Sequence, residues 1–263
     1  MEESIVKLKL DIVFKRIFGD ERNKDIITSF IADILEIPFD SIKSLSINNV
    51  ELVPNYYDNK FSRLDLKLTV DERIINVEMQ VNSVTAFKDR TLFYWSKLFS
   101  EELKPKEEYK ELHQTICINI LGFNLFDCKC YHSHFQVIEK DRHELLTDKF
   151  SIHFLELKKL KKYKLGKPVE EWLNLINAET EGDLMVIEEK TKNPKIKEVV
   201  YKIRELSADE QLRELAFKRE KYLHDRASEL GDAKREERAK IREKMRLKGY
   251  PEEEINEILG FEI

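Results

Sequence analysis

Leu64-Asp65-Leu66-Lys67-Leu68-Thr69-Val70 and Ile75-Asn76-Val77-Glu78-Met79-Gln80-Val81 are two stretches in which apolar and polar residues alternate without a break. A period of two is the signature of a half-buried β-strand. Asp71-Glu72 is the only plausible turn between them, so the pair predicts an antiparallel hairpin, although without the favoured Asn-Gly turn. A two-residue turn there fixes the register. Asp65 then faces Glu78, Arg63 faces Gln80 and Lys67 faces Asn76. Directly paired side chains share one face of the sheet.

Outward from the hairpin the pattern changes period. Residues 5–35 read as helical: Val6, Leu10, Val13, Phe14, Ile17 and Phe18 recur at helical spacing, and Gly19-Asp20 breaks the run. A second helix runs from Asn23 to Leu35 and Pro38 closes it. Residues 43–53 read as a strand. After the hairpin a helix over 86–103 carries Phe87, Leu92, Trp95, Leu98 and Phe99, and 114–121 is a short apolar strand. A strand reached through a helical crossover pairs in parallel, so the sheet is expected to be mixed. Two more strands are expected at 131–139 and 150–157, and a short helix at 168–178. From Lys195 onward the chain reads as helical and very polar, with a final short helix after Pro251. The resulting expectation is an α/β fold, a central mixed sheet flanked by helices, occupying residues 1–165. A highly charged, mostly helical C-terminal extension occupies 166–263.

The 263 residues are 41% hydrophobic, enough for a substantial core. Charged residues reach 37% and concentrate in the C-terminal third. The net charge of −5 argues mildly against a tight nonspecific DNA binder, yet DNA binding depends on local basic surface. No apolar signal region opens the sequence, and no stretch approaches the about 20 apolar residues needed to span a bilayer. Three cysteines do not suggest a disulfide scaffold. These features lead us to expect a reduced, cytoplasmic protein without a membrane partner.

Two carboxylates opposed on a sheet repel each other and raise one another's proton affinity. A divalent cation removes that conflict. Mg2+ takes one or two carboxylates, keeps several waters and accepts phosphate oxygens. Asp65 and Glu78 suit such an ion, and Gln80 on the same face suits a water or a phosphate oxygen. A solvated sheet face also carries these residue types, and on pattern alone cross-strand ion pairs with Arg63 and Lys67 are the stronger reading.

Asp65 followed by Glu78-Met79-Gln80 resembles the D…E-x-Q variant of the PD-(D/E)XK nuclease motif. Around it, Asp11-Ile12-Val13-Phe14-Lys15-Arg16-Ile17-Phe18-Gly19, Arg63-Leu64-Asp65, Arg90 with Tyr94-Trp95, and Ile152-His153-Phe154-Leu155-Glu156-Leu157 resemble, in order, segments of the Rpn family of recombination-promoting nucleases, labelled also as transposases. The resemblance spans roughly residues 7–160. It implies a restriction-endonuclease-like core, Mg2+-dependent cleavage of DNA (with Mn2+ as a substitute), and a role in recombination, mobile elements or defence. It implies Asp65 and Glu78 as metal ligands, with Gln80 at the usual lysine position. Glutamine cannot act as a base, so Lys67 or Lys15 becomes a candidate for the positive charge. The same departure keeps open a noncatalytic nucleic-acid or partner-binding protein that retains the nuclease fold.

Other residues carry weaker signals. Asp11 and Lys15 lie one helical turn apart, as do Arg90 and Tyr94; each pair fits an active-site edge or an ordinary surface or packing role. Cys128, Cys130, His132 and His134 alternate, but a row along one strand is too long for a single zinc ion, so packing or surface is expected. The basic stretch Lys234–Lys248 includes Glu236, Glu237 and Glu243 and reads as a solvated helix. Ala216, Leu223 and Leu230 repeat at seven and leave a homodimer open.

Overall fold

The computed structural model describes residues 5–48, 66–103 and 107–260. Six strands form one mixed sheet: β1 (Leu45–Ile47), β2 (Leu66–Val70), β3 (Arg73–Gln80), β4 (Thr115–Leu121), β5 (His132–Phe135) and β6 (Phe150–Glu156), in spatial order β1-β2-β3-β4-β6-β5. β1, β2 and β3 are antiparallel neighbours; β3, β4 and β6 are parallel; β5 returns antiparallel at the far edge. The parallel step from β3 to β4 passes through helix α3 (Phe87–Glu101), as the crossover pattern predicts.

Strand alternation divides the side chains between two cores. On one face Ile74, Cys117, Leu121, Ile152 and Phe154 pack with Phe87 and Leu98 of α3. The opposite face meets α1 (Asp11–Phe18), which lies against β3, and α2 (Lys24–Leu35), which lies against β1 and carries α4 (Pro168–Ile176). There Phe14, Phe18, Phe30 and Trp172 form an aromatic cluster with ring centroids 4.6–6.5 Å apart. The Trp172 indole donates to Asp33 Oδ2 at 2.7 Å. Burial raises the Asp33 carboxyl above its usual range against the opposing hydrogen bonds.

Helix α1 starts at Asp11 rather than residue 5. Ile5, Val6, Leu8 and Leu10 are buried, but a non-helical segment carries them, and the Val6 amide donates to Ser207 Oγ across 201 residues. Burial of an apolar run does not by itself select a helix, and here a long-range hydrogen bond satisfies the backbone instead. Helix α5 (Glu181–Lys190) was not expected; Thr180 and Asp183 form a capping box at its start. The expected strand at 43–53 is confined among described residues to β1, and 49–53 lie outside them. Ile138 pairs with Leu145 as an isolated bridge beyond β5.

Two compact units divide the chain, Met1–Ala216 and Phe217–Ile263. The compositional boundary at 165/166 falls inside the first, where α4, α5 and α6 (Pro194–Ala208) pack on one another and α4 and α6 on α2. Within the second unit the end of α7 (Glu210–Leu247) holds α8 (Glu252–Leu259). Arg242, 5% exposed, donates to Asn256 Oδ1 at 2.7 Å and to the Gly260 carbonyl, and Arg246 pairs with Glu252. Two arginines of the basic stretch thus serve a helix contact. Among the described residues no helix is long and apolar enough to cross a membrane.

Candidate active site

The hairpin takes the register read from its turn. Lys67 pairs with Asn76, Leu68 with Ile75 and Val70 with Arg73. Asp71 turns the chain at φ 53° without glycine. Its Oδ1 accepts the Lys43 and Ser44 amides at 2.9 Å each, and its own amide donates to Ser44 O. The turn is therefore anchored to the segment leading into β1. Asp65 and Arg63, and with them the expected Asp65–Glu78 pairing, lie outside the described residues.

Asn76, Glu78 and Gln80 project on the face covered by α3. Glu78 is 6% exposed, and a carboxylate so buried needs a compensating charge. Arg90, one turn into α3, supplies it. Its Nη2 donates to Glu78 Oε1 at 2.5 Å and to Gln80 Oε1 at 3.0 Å. The guanidinium stacks over Phe87 (4.7 Å) and reaches Tyr94 (6.0 Å). Gln80 Nε2 donates to the Asn82 carbonyl at 2.9 Å, which turns its oxygen toward Arg90. At the end of β4 the Gly122 amide donates to Gln80 O, and a Cβ there would stand 2.5 Å from the Val81 carbonyl oxygen. The close approach fixes the backbone that carries Gln80.

Three neighbours complete this pocket of polar groups. Asn76 is 1% exposed and its Oδ1 accepts no hydrogen bond. The Cys117 thiol is pushed up to about 12, by burial first and then by the Glu78 charge, which leaves it without thiolate chemistry. Asn119 receives the Thr91 hydroxyl at 3.4 Å and donates to the His153 carbonyl at 3.1 Å. Parity along the strand places Asn76 with Glu78 already in the sequence; Asn119 and Thr91 carry no comparable local signal.

Of the candidates read from sequence, the structure brings Glu78, Gln80, Arg90 and Tyr94 together. Lys67 is half-buried on the same face, opposite Asn76 and diagonal to Glu78. Asp11 and Lys15 are half-buried on α1, in the layer on the other face of the sheet. Among the described contacts, Glu78 is met by a cation from a helix, Arg90 of α3.

His132 and His134 do share a face, but they meet His153 rather than the two cysteines. His132 Nε2 lies 2.9 Å from His153 Nδ1, and Ser151 Oγ bridges His153 Nε2 (3.0 Å) and His134 Nε2 (2.9 Å). The His134 and His153 rings stack at 4.1 Å. Cys128 and Cys130 are exposed and free. Among the described residues no group of three or more His, Cys, Asp or Glu is placed to hold a metal ion.

Residues 8–233 match one protein family, described as PD-(D/E)XK nuclease family transposase. The chain belongs to this family. Its mixed sheet flanked by helices is the restriction-endonuclease-like α/β arrangement expected of such nucleases. No curated protein and no solved structure matches the chain. Family membership indicates a nuclease or transposase-like function.

Proposed function

We propose that this chain is a Mg2+-dependent endodeoxyribonuclease that hydrolyses DNA phosphodiester bonds, with Mn2+ able to substitute. The observation that carries the reading is the position of Arg90 Nη2. A cationic nitrogen sits against both the Glu78 carboxylate oxygen and the Gln80 amide oxygen. That nitrogen stands in for a cation, and hard oxygen donors around it are the chemistry a Mg2+ ion takes. The unpartnered Asn76 Oδ1 nearby adds another oxygen to the same buried face.

Glu78 and Asp65 would hold the ion. Bound there, it lowers the pKa of a coordinated water and offsets charge on a phosphoryl oxygen. Gln80 cannot take a proton, so its part is to orient a water or phosphate oxygen through Oε1, held in place by the Asn82 bond. Lys67, on the same face, supplies positive charge toward a phosphate, whereas Asp11 and Lys15 of α1 lie across the sheet from these oxygens. Arg90 and Tyr94 frame the carboxylate from α3. The role we propose is in recombination, mobile elements or defence, supported by membership of a nuclease family of transposases, and the setting proposed is cytoplasmic.

Supercoiled-plasmid cleavage tests this. Wild type with Mg2+ is expected to nick or linearise the plasmid, while EDTA, Asp65→Ala and Glu78→Ala abolish cleavage. If a folded wild type is inactive under all metals and substrates tried, the noncatalytic binding protein is the better reading. If Asp65→Ala cuts as wild type does, the site is misassigned.

A further inference from the structure

The contact that compensates Glu78 uses the same oxygens the metal would need. Arg90 Nη2 alone makes both bonds, to Glu78 Oε1 and Gln80 Oε1. Its Nε is buried and has no hydrogen-bond partner. An arginine fixed as a permanent strut to a carboxylate ordinarily uses its fork in two parallel bonds. Here half the fork is unspent, at a cost for each buried unsatisfied group. The Phe87 and Tyr94 rings hold the guanidinium by stacking, which does not require it to stay on Glu78. Its side chain is 22% exposed, against 8% for the carboxylate, so the arginine lies on the solvent side of the pair.

We infer that Arg90 is an exchangeable counter-ion. In the metal-free protein it occupies the cation position between Glu78 and Gln80, and it yields those oxygens when a divalent cation binds. This rests on the proposed metal site. The physical reason is linkage: an interaction made only in the metal-free state opposes metal binding by its own free energy. Arg90 is in this sense a positioning residue that sets how much divalent cation is needed to load the site. It also places a compensating charge beside the buried Glu78 carboxylate before metal arrives.

The test is calorimetric titration of Mn2+ alone, without nucleic acid, into full-length wild type, Arg90→Gln, Arg90→Lys and Glu78→Gln, with thermal unfolding followed with and without Mn2+. Removing one charge-assisted competitor is expected to tighten Mn2+ binding about 10-fold or more in Arg90→Gln. The same variant should unfold at a lower temperature without metal and recover with it. Arg90→Lys keeps the competing charge and stays near wild type. If Arg90→Gln is unfolded without metal, Mn2+ should refold it. Unchanged or weaker Mn2+ binding in folded Arg90→Gln, or no refolding by Mn2+, overturns the exchange. Wild type that binds no Mn2+, or Glu78→Gln that binds it as wild type does, overturns the metal site itself and the exchange with it.

Discussion

Acid should weaken this fold at a pH where few other groups act, because His153 stays neutral inside it. His153 is 4% exposed, and burial, followed by the nearby His134 and His132, pushes its pKa from 6.5 down to about 3. Burial also lowers His132, which feels the His134 and Lys167 charges against Glu36, and it lowers His134. Below the unfolded value of 6.5 the unfolded chain binds a proton that the folded chain refuses. Stability is therefore fully present above that value and is lost as pH falls toward about 3. Between about pH 8 and about pH 5, one histidine kept neutral accounts for a loss of about 2 kcal/mol. Carboxylates held low by partners, such as Asp20 and Asp183, give up their contribution only near and below the ordinary aspartate value of 3.8, mostly outside that window. The assay is urea unfolding of wild type and His153→Leu at both pH values. His153→Leu should start less stable, since Ser151 and His132 lose a partner, but its pH-dependent loss should be smaller by about 2 kcal/mol. Equal losses in the two proteins would refute the reasoning, as would a wild type indifferent to pH over this range.

Four further outcomes are expected. In single-turnover cleavage with Mg2+, Glu78→Ala should lose at least about 100-fold in rate, a larger change than a residue outside the metal's immediate partners gives; retained rate would remove Glu78 from the site. Trp172→Ala removes the ring packed on Phe18 and Phe30 and leaves Asp33 without its indole donor, which should cost about 3–5 kcal/mol in denaturant unfolding. Gly122→Ala forces a methyl against the Val81 carbonyl and should cost about 1–3 kcal/mol, read as a lower Tm together with weaker Mn2+ binding through Gln80. A chain ending at Ala216 should unfold cooperatively, whereas one ending at Lys192 should not, because Ile196, Val199, Val200 and Ile203 of α6 are fully buried in the first unit; circular dichroism melts distinguish the two.

The sequence by itself determined what depends on neighbours along the chain. Two-residue alternation set the faces of β2 and β3, and the length of the Asp71-Glu72 turn set their register, because a one-residue slip would turn every apolar side chain out of the core. Helical spacing located α1, α2 and α3, and the crossover predicted the parallel step to β4. It also placed Glu78 and Gln80 on one face with Asn76. Tertiary structure alone decided what sits on that face. Arg90 reaches Glu78 only because α3 packs back across the sheet, and nothing in the spacing of residues 78 and 90 states that contact. His153 joined His132 and His134 through strand order, where β6 lies between β4 and β5. The buried segment before α1 kept an apolar, helix-like pattern yet took another course, with its Val6 amide bonded to Ser207 from α6. Local patterns are fixed by the geometry of the backbone over a few residues. Partners for buried charges are chosen by which helix the folded core brings within reach.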